Sequence, residues 1–287
     1  MGERDAVDRI DRPVTVSTLG SDLRDLGVEP GETLLVHASL SALGWVAGDA
    51  QAVVDALREV VTDSGTLVMP AHTGQYTDPS VWSNPPVPDD WIEAIRAERP
   101  PFRPESTPTR GMGAIAECFR GYPDTVRSRH PTVSFAAWGA EAEAVVAGHA
   151  YDEGLGEASP LAEVYDRDGR VLLLGTGYDT NTSIHLAEYR AEFPKDRATN
   201  EAPVFEDGDV VRVEYEDVET DTSDFVELGS DFEAERPEAV TRGTVGAAET
   251  RLLDQPALVD FAVEWFEANR GRPARGPDGA DAGPDSG

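Results

Sequence analysis

Short, uninterrupted apolar runs alternating with segments of helical period constrain this chain more than any other feature. Thr33 to His37 (TLLVH) and Thr66 to Met69 (TLVM) are runs of the kind found in strands buried on both faces. Between them Asp49 opens a stretch in which Val53, Val54, Leu57 and Val61 recur at helical spacing, stopped near Gly65. Val171 to Leu174 (VLLL) is another such run, and the segment from Thr182 to Glu192 again reads as helix.

The intervening sequence keeps the alternation. Ser17 or Thr18 caps a short helix ending near Gly27, and Pro30-Gly31 marks a turn. Gly113 to Phe119 and Ala140 to Ala147 are expected as helices, with a strand over Val133 to Trp138 between them. Ser159-Pro160 starts a helix with Leu161, Val164 and Tyr165 on one face. Thr73 to Pro108 is rich in proline, with Trp82 and Trp91 embedded; so long a connection reads as a functional loop or lid. After Pro194, Val210 to Tyr215 alternates apolar and polar residues behind an Asp207-Gly208 turn, as a hairpin strand does. Phe225 to Phe232 has no clear pattern, and Pro256 to Asn269 is an amphipathic helix.

The expected fold is therefore α/β, a single large domain over residues 1–270. It has a mixed central sheet flanked by helices and a partly antiparallel C-terminal part. Residues 271–287, rich in Gly, Pro, Asp and Ala, are expected to be a disordered acidic tail.

Composition excludes several functions. The chain has 55 acidic and 24 basic residues among 287, a formal net charge of -31, and Lys195 is its single lysine. Acid spread over the whole sequence reads as surface solvation of a halophilic type, because molar salt shrinks the Debye length to about 3 Å. It argues against a nucleic-acid partner, which needs clustered Lys or Arg. No stretch is long and apolar enough to span a bilayer, and Met1 to Ile10 lacks the apolar run of a signal peptide, so a cytoplasmic location is expected. Cys118 stands alone, which rules out an intramolecular disulfide and a Cys-based zinc site. The five histidines show no helical metal-ligand spacing, so no metal is expected. Cys118 sits in an apolar helical stretch and is expected to be an inert thiol rather than an acyl-carrying nucleophile.

Four segments carry possible chemistry. His37 to Gly44 (HASLSALG) follows a strand, and its small residues suit either a ligand-approaching loop or an ordinary connection. Thr107 to Gly113 (TPTRGMG) enters a helix as either an anion site or a tight turn. His130, in RSRHPTVSF, is either a general base, a role that histidine suits because the free side chain titrates near neutrality, or a structural histidine. In GTGYDTNTSIHLAE the third glycine of a dinucleotide fingerprint is missing. There His185 and Glu188, three apart, share one helix face and either line a pocket or make a surface hydrogen bond.

In this order and spacing the segments LLVHASLSALG, SGTLVMPAHT, TPTRGMGAIAE, RSRHPTVSFAAWG, ASPLAEVYDRDGRVLLLGTG and NTSIHLAEYRA resemble the aminoglycoside N(3)-acetyltransferase family, from about Thr15 to Asn269. The resemblance implies a fold unlike the common small N-acetyltransferase fold. It also implies direct acetyl transfer from acetyl-CoA, as cosubstrate, to the 3-amino group of a 2-deoxystreptamine aminoglycoside, a role in antibiotic resistance. It makes His130 the catalytic base. Glu157, Asp152 and Glu153 are the candidates to orient that histidine, and the sequence does not choose among them. The resemblance assigns His37, Ser39, Leu40, Ser41, Gly44, Thr107, Thr109, Arg110, Gly111, Met112, Gly113 and Ser134 to the coenzyme, and Asp179, His185 and Glu188 to the acceptor. Another amino sugar or small amine as acceptor, hydrolysis of the CoA thioester and an idle binding protein stay as alternatives. The oligomeric state is not readable.

Overall fold

The apolar runs lie side by side in one sheet. β1 (Thr33–Ala38), β2 (Thr66–Pro70) and β5 (Arg170–Leu174) run parallel, with Leu35 level with Val68 on one side and Val171 on the other. β3 (Val126–Arg127) and β4 (Phe135–Gly139) extend the sheet antiparallel beyond β2, and β8 (Val240–Val245) and β9 (Ala248–Asp254) extend it antiparallel beyond β5. The order is β3-β4-β2-β1-β5-β9-β8, a mixed seven-stranded sheet. β6 (Arg197–Glu206) and β7 (Asp209–Val218) form a separate antiparallel ribbon. The computed structural model describes residues 3–206 and 208–270. Asp207 and the tail expected from residue 271 onward lie outside these described residues.

The pleat sends alternate side chains into two different cores. Leu34 and Val36 of β1, Leu67 and Met69 of β2, and Leu172 and Leu174 of β5 pack with α2 (Val16–Leu26), α3 (Asp49–Val61) and α5 (Gly113–Phe119). Leu35, Val68, Val171 and Leu173 face the opposite layer. That layer is α6 (Ala142–Val146), α7 (Pro160–Tyr165), α8 (Ser183–Arg190), α9 (Phe225–Glu235) and α10 (Gln255–Asn269). The remaining helices are α1 (Glu3–Asp8) and α4 (Ile92–Glu98). Among the described residues no helix is long and apolar enough to cross a membrane.

Several details differ from the sequence reading. α2 is capped by Thr15, in a capping box with Thr18, and ends at Gly27, whose φ of 99° places it in the left-handed region. Phe225 to Glu235 is a helix whose Phe225, Leu228 and Phe232 fill the second core; the small Gly229 and Ser230 between them blur the periodicity. β8 gives no strand signal because four of its six residues are exposed at the sheet edge. The long segment after β2 is ordered rather than bare loop. It holds α4, and Arg96 bonds Asp78 while Arg99 donates to the carbonyls of Gln75 and Thr77.

Candidate active site

The connections that leave β1 and β5 part company. After β1 the chain passes through Ser39–Gly44 into α3 on one face, whereas after β5 it passes through Gly175–Asn181 into α8 on the other. Adjacent parallel strands whose connections diverge in this way leave a crevice beyond their C-terminal ends, the usual ligand position in such sheets. A cleft of about 810 Å³ opens there. His37, Ser39, Leu40, Ser41 and Gly44 line it, with Gly111, Met112 and Gly113 at the head of α5 and Thr180 and Thr182 ahead of α8. The loops are tightly apposed: a Cβ on Gly175, itself at a φ of 68°, would fall 2.4 Å from the Cβ of Ala42.

Thr182 on the cleft wall precedes the first turn of α8, and its carbonyl accepts from the His185 N–H at 3.0 Å. The spacing of three brings Glu188 under His185, so that the His185 Nδ1 and the Glu188 Oε2 share a short hydrogen bond. Glu188 is 1% exposed, and its other oxygen accepts from the Asp221 N–H at 3.0 Å and from Arg270 at 2.5 Å. Burial pushes the Glu188 carboxyl up, but its bonds to His185, Asp221 and Arg270 outweigh burial and hold it below the usual carboxylate range. An ionised Glu188 accepts the Nδ1 proton and so leaves Nε2 of the neutral imidazole as a lone-pair acceptor. That Nε2 has no hydrogen-bond partner among the described residues. His37 approaches Thr182 Oγ1 at 3.3 Å through its Nε2, and burial, with repulsion from His185, lowers it to about 3.

His130 occupies a different place. It is 1% exposed; its Nδ1 accepts from the N–H groups of Thr132 and Val133, each at 3.2 Å, and its Nε2 lies 3.2 Å from the Tyr151 carbonyl. Burial, reinforced by His149, drives it well below the ordinary histidine range. Its ring centroid lies 4.8 Å from that of His149, the planes tilted by 34°, and the ring meets Tyr151 and Tyr215 edge-on. Contrary to the sequence expectation, then, His130 fastens the turn leading into β4 and has no nitrogen to offer a substrate. Glu157 pairs with Arg190 and Glu153 accepts from the Ala158 N–H; neither they nor Asp152 are among its hydrogen-bond partners.

The other expected residues divide. His37, Ser39, Leu40, Ser41, Gly44, Gly111, Met112 and Gly113 come together on the cleft. Five do not line it. Thr107 accepts from the Arg103 N–H at 2.9 Å, Thr109 donates to Glu117 at 2.6 Å, and the Arg110 guanidinium lies 5.3 Å from the Trp82 ring. Ser134 donates to the Ala71 carbonyl at 2.9 Å and accepts from Arg127 at 3.0 Å. Asp179 is exposed in the turn Tyr178–Thr180. Thr180, Thr182, Asp221 and Arg270 escaped the sequence reading; Arg270 and Asp221 have no local motif linking them to Glu188. Among the described residues no group of three or more His, Cys, Asp or Glu side chains could hold a metal.

Fold and cleft together describe an α/β protein with a cleft at the switch point of its sheet. The chain belongs to the aminoglycoside 3-N-acetyltransferase family, whose model matches residues 35–267. It is thus an acyltransferase by family. It is 45% identical over 258 residues to the aminoglycoside N(3')-acetyltransferase-like protein YokD of Bacillus subtilis, covering 90% of this chain and 94% of that one. Over 297 residues it is 38% identical to aminoglycoside N(3)-acetyltransferase VII of Streptomyces paromomycinus, covering 97% and 100%. The crystal structure of YokD superimposes with a TM-score of 0.89 at 43% identity over 93% of this chain and 98% of that one. AAC-IIIb in binary complex with CoASH superimposes at 0.81, with 32% identity over 92% and 100%. AAC-VIa bound to sisomicin gives 0.80, with 32% identity over 91% and 100%.

Proposed function

We propose that this protein transfers the acetyl group of acetyl-CoA directly to the 3-amino group of a 2-deoxystreptamine aminoglycoside, with His185 as general base. The observation that carries this reading is the buried His185–Glu188 pair, on the helix that begins just past Thr182 of the cleft wall. CoASH in AAC-IIIb and sisomicin in AAC-VIa, two proteins of the same fold, support the choice of substrates. A cytoplasmic location belongs to the same reading, because acetyl-CoA is available there.

The acceptor amine attacks the thioester carbonyl as the neutral base, forming the C–N bond. Nε2 of His185 takes the proton that the nitrogen sheds, and Glu188 stabilises the resulting imidazolium. The tetrahedral intermediate collapses with cleavage of the C–S bond, and the proton held by His185 passes to the departing thiolate. Nothing beyond the two substrates is consumed. The loop from Ser39 to Gly44 and the turn from Gly111 to Gly113 supply backbone close to the donor, and holding both substrates on one cleft contributes through proximity. His37, kept neutral by burial, adds a second uncharged imidazole beside the reacting groups.

The test is CoA release from acetyl-CoA in molar KCl, with and without 2-deoxystreptamine aminoglycosides and simpler amines. Release that requires a 2-deoxystreptamine compound is expected. Release with simple amines alone would discard the antibiotic as acceptor, and release without any amine would make the protein a thioester hydrolase.

A further inference from the structure

Glu188 orients His185, but the residue that fixes Glu188 comes from the far end of the chain. Arg270 caps α10, and its side chain is 15% exposed. Its Nη1 donates to Glu188 Oε1 at 2.5 Å, on the carboxylate edge that His185 leaves free. Its Nε and Nη2 clasp the Asp224 carboxylate at 2.7 and 2.5 Å, and Nη2 also donates to the Asp221 carbonyl at 2.7 Å. The guanidinium lies 4.1 Å from the Phe266 ring, which limits its rotation.

We infer that Arg270 is a positioning residue for acetyl transfer, holding Glu188 in the orientation that keeps the His185 proton on Nδ1 and Nε2 open. This rests on the reading of His185 as the base. The physical need is plain: a carboxylate with 1% exposure must be paired, or it takes up a proton or turns away. A protonated Glu188 has an O–H to donate, and His185 then loses the acceptor that selects its tautomer. An arginine meets the requirement better than a lysine, because its planar, permanently charged guanidinium meets the carboxylate in a fixed geometry.

The groups facing the pair are these. Tyr189 lies beside Glu188 on α8, Lys195 follows that helix, and Asp221 and Asp224 precede α9. His37 and His72, at the ends of β1 and β2, lie within electrostatic reach of His185 and are kept neutral by burial. Among them Arg270 is the cation bonded to Glu188. Removing it takes away one of the bonds that hold the Glu188 carboxyl down, so the acidic limb of the rate profile moves to higher pH.

The experiment compares Arg270→Gln, Arg270→Lys and Asp224→Asn in the full chain. Asp224→Asn loosens the fastening of α10 while leaving the bond to Glu188. For Arg270→Gln, kcat should fall by about 10- to 100-fold, part of the 10²–10⁴ a positioned base contributes. The KM for acetyl-CoA should hold and the acidic limb should rise. Arg270→Lys should recover much of the loss, and Asp224→Asn should stay near wild type. Equal behaviour of Asp224→Asn and Arg270→Gln, or an unmoved acidic limb, would reduce Arg270 to a structural staple. Nitrogen NMR of the His185 ring separates this from the functional reading. If no amine stimulates CoA release by the wild type, that reading falls. Loss of the Nδ1–H tautomer in Arg270→Gln would still uphold the hold of Arg270 on the His185–Glu188 pair, and an unchanged tautomer would overturn the inference.

Discussion

The ring of Tyr178 lies against the backbone of α9 at Gly229, so closely that a Cβ there would fall 2.2 Å from the ring Cγ. One turn further along α9, Glu233 accepts from the Tyr178 hydroxyl at 3.2 Å and is paired with Arg251. Tyr178 is thereby pinned at the start of the turn that leads to Thr180, Thr182 and the head of α8. Gly229→Ala should cost about 1–3 kcal/mol through overpacking, although alanine is the better helix former. Thermal unfolding checks this, and a variant as stable as wild type would show that the ring can step aside.

His185→Ala should lower kcat by about 10²–10⁴-fold while the KM for acetyl-CoA changes little. His130→Ala should behave oppositely. It strands the N–H groups of Thr132 and Val133 in a buried turn, a loss of about 1–3 kcal/mol, and leaves turnover per folded molecule nearly intact. Steady-state kinetics alongside urea unfolding separates the two, and a catalytic collapse confined to His130→Ala would return the base to that residue.

Stability should fall on mild acidification. Burial lowers His37 and His72 to about 3 and His149 to about 4, against about 6.5 in an unfolded chain. A depressed histidine contributes in full above the unfolded value, and its contribution drains as pH drops from about 6.5 towards the folded value, at about 1.4 kcal/mol per unit. Glu32 and Asp217, raised by burial, act in the other sense. His149→Asn, examined by unfolding in molar KCl between pH 7.5 and 5, should be less stable at neutrality and lose less on acidification. Parallel wild-type and variant profiles would contradict the role given to His149.

A net charge of -31 on 287 residues predicts self-repulsion that salt relieves. The melting temperature should climb as KCl rises from 0.1 to 2 M, because the Debye length contracts from about 10 Å to under about 3 Å. Exposed pairs such as Arg24–Glu59 are screened too, but each is worth well under about 1 kcal/mol. A melting temperature highest in dilute buffer would make the acidic surface incidental.

The legible parts of the sequence were those whose side chains report their own surroundings. TLLVH, TLVM and VLLL became β1, β2 and β5, within a residue or two, because burial on both faces leaves little choice of residue. β8 and β6 were missed: β8 is an edge with exposed side chains, and β6 carries Thr199, Asn200 and Pro203 where a strand pattern is sought. At the site, the loop after β1 and the spacing of His185 and Glu188 were readable, being local. His130 misled because its setting before Pro131 says nothing about which atoms its ring meets, and these come from Thr132, Val133 and Tyr151. Arg270 was invisible for the complementary reason: 82 residues separate it from Glu188.

The divergence of the β1 and β5 connections has an evolutionary corollary. The loop beyond β1 belongs to one helical layer, while α8 with its neighbours α9 and α10 belongs to the other. The sheet stands between them like a firewall. Substitutions that reshape the α8 side repack against Leu35, Val171 and Leu173 without disturbing the neighbours of Leu34 and Val36. A chain built this way can vary one wall of its cleft over generations while the opposite wall is inherited unchanged.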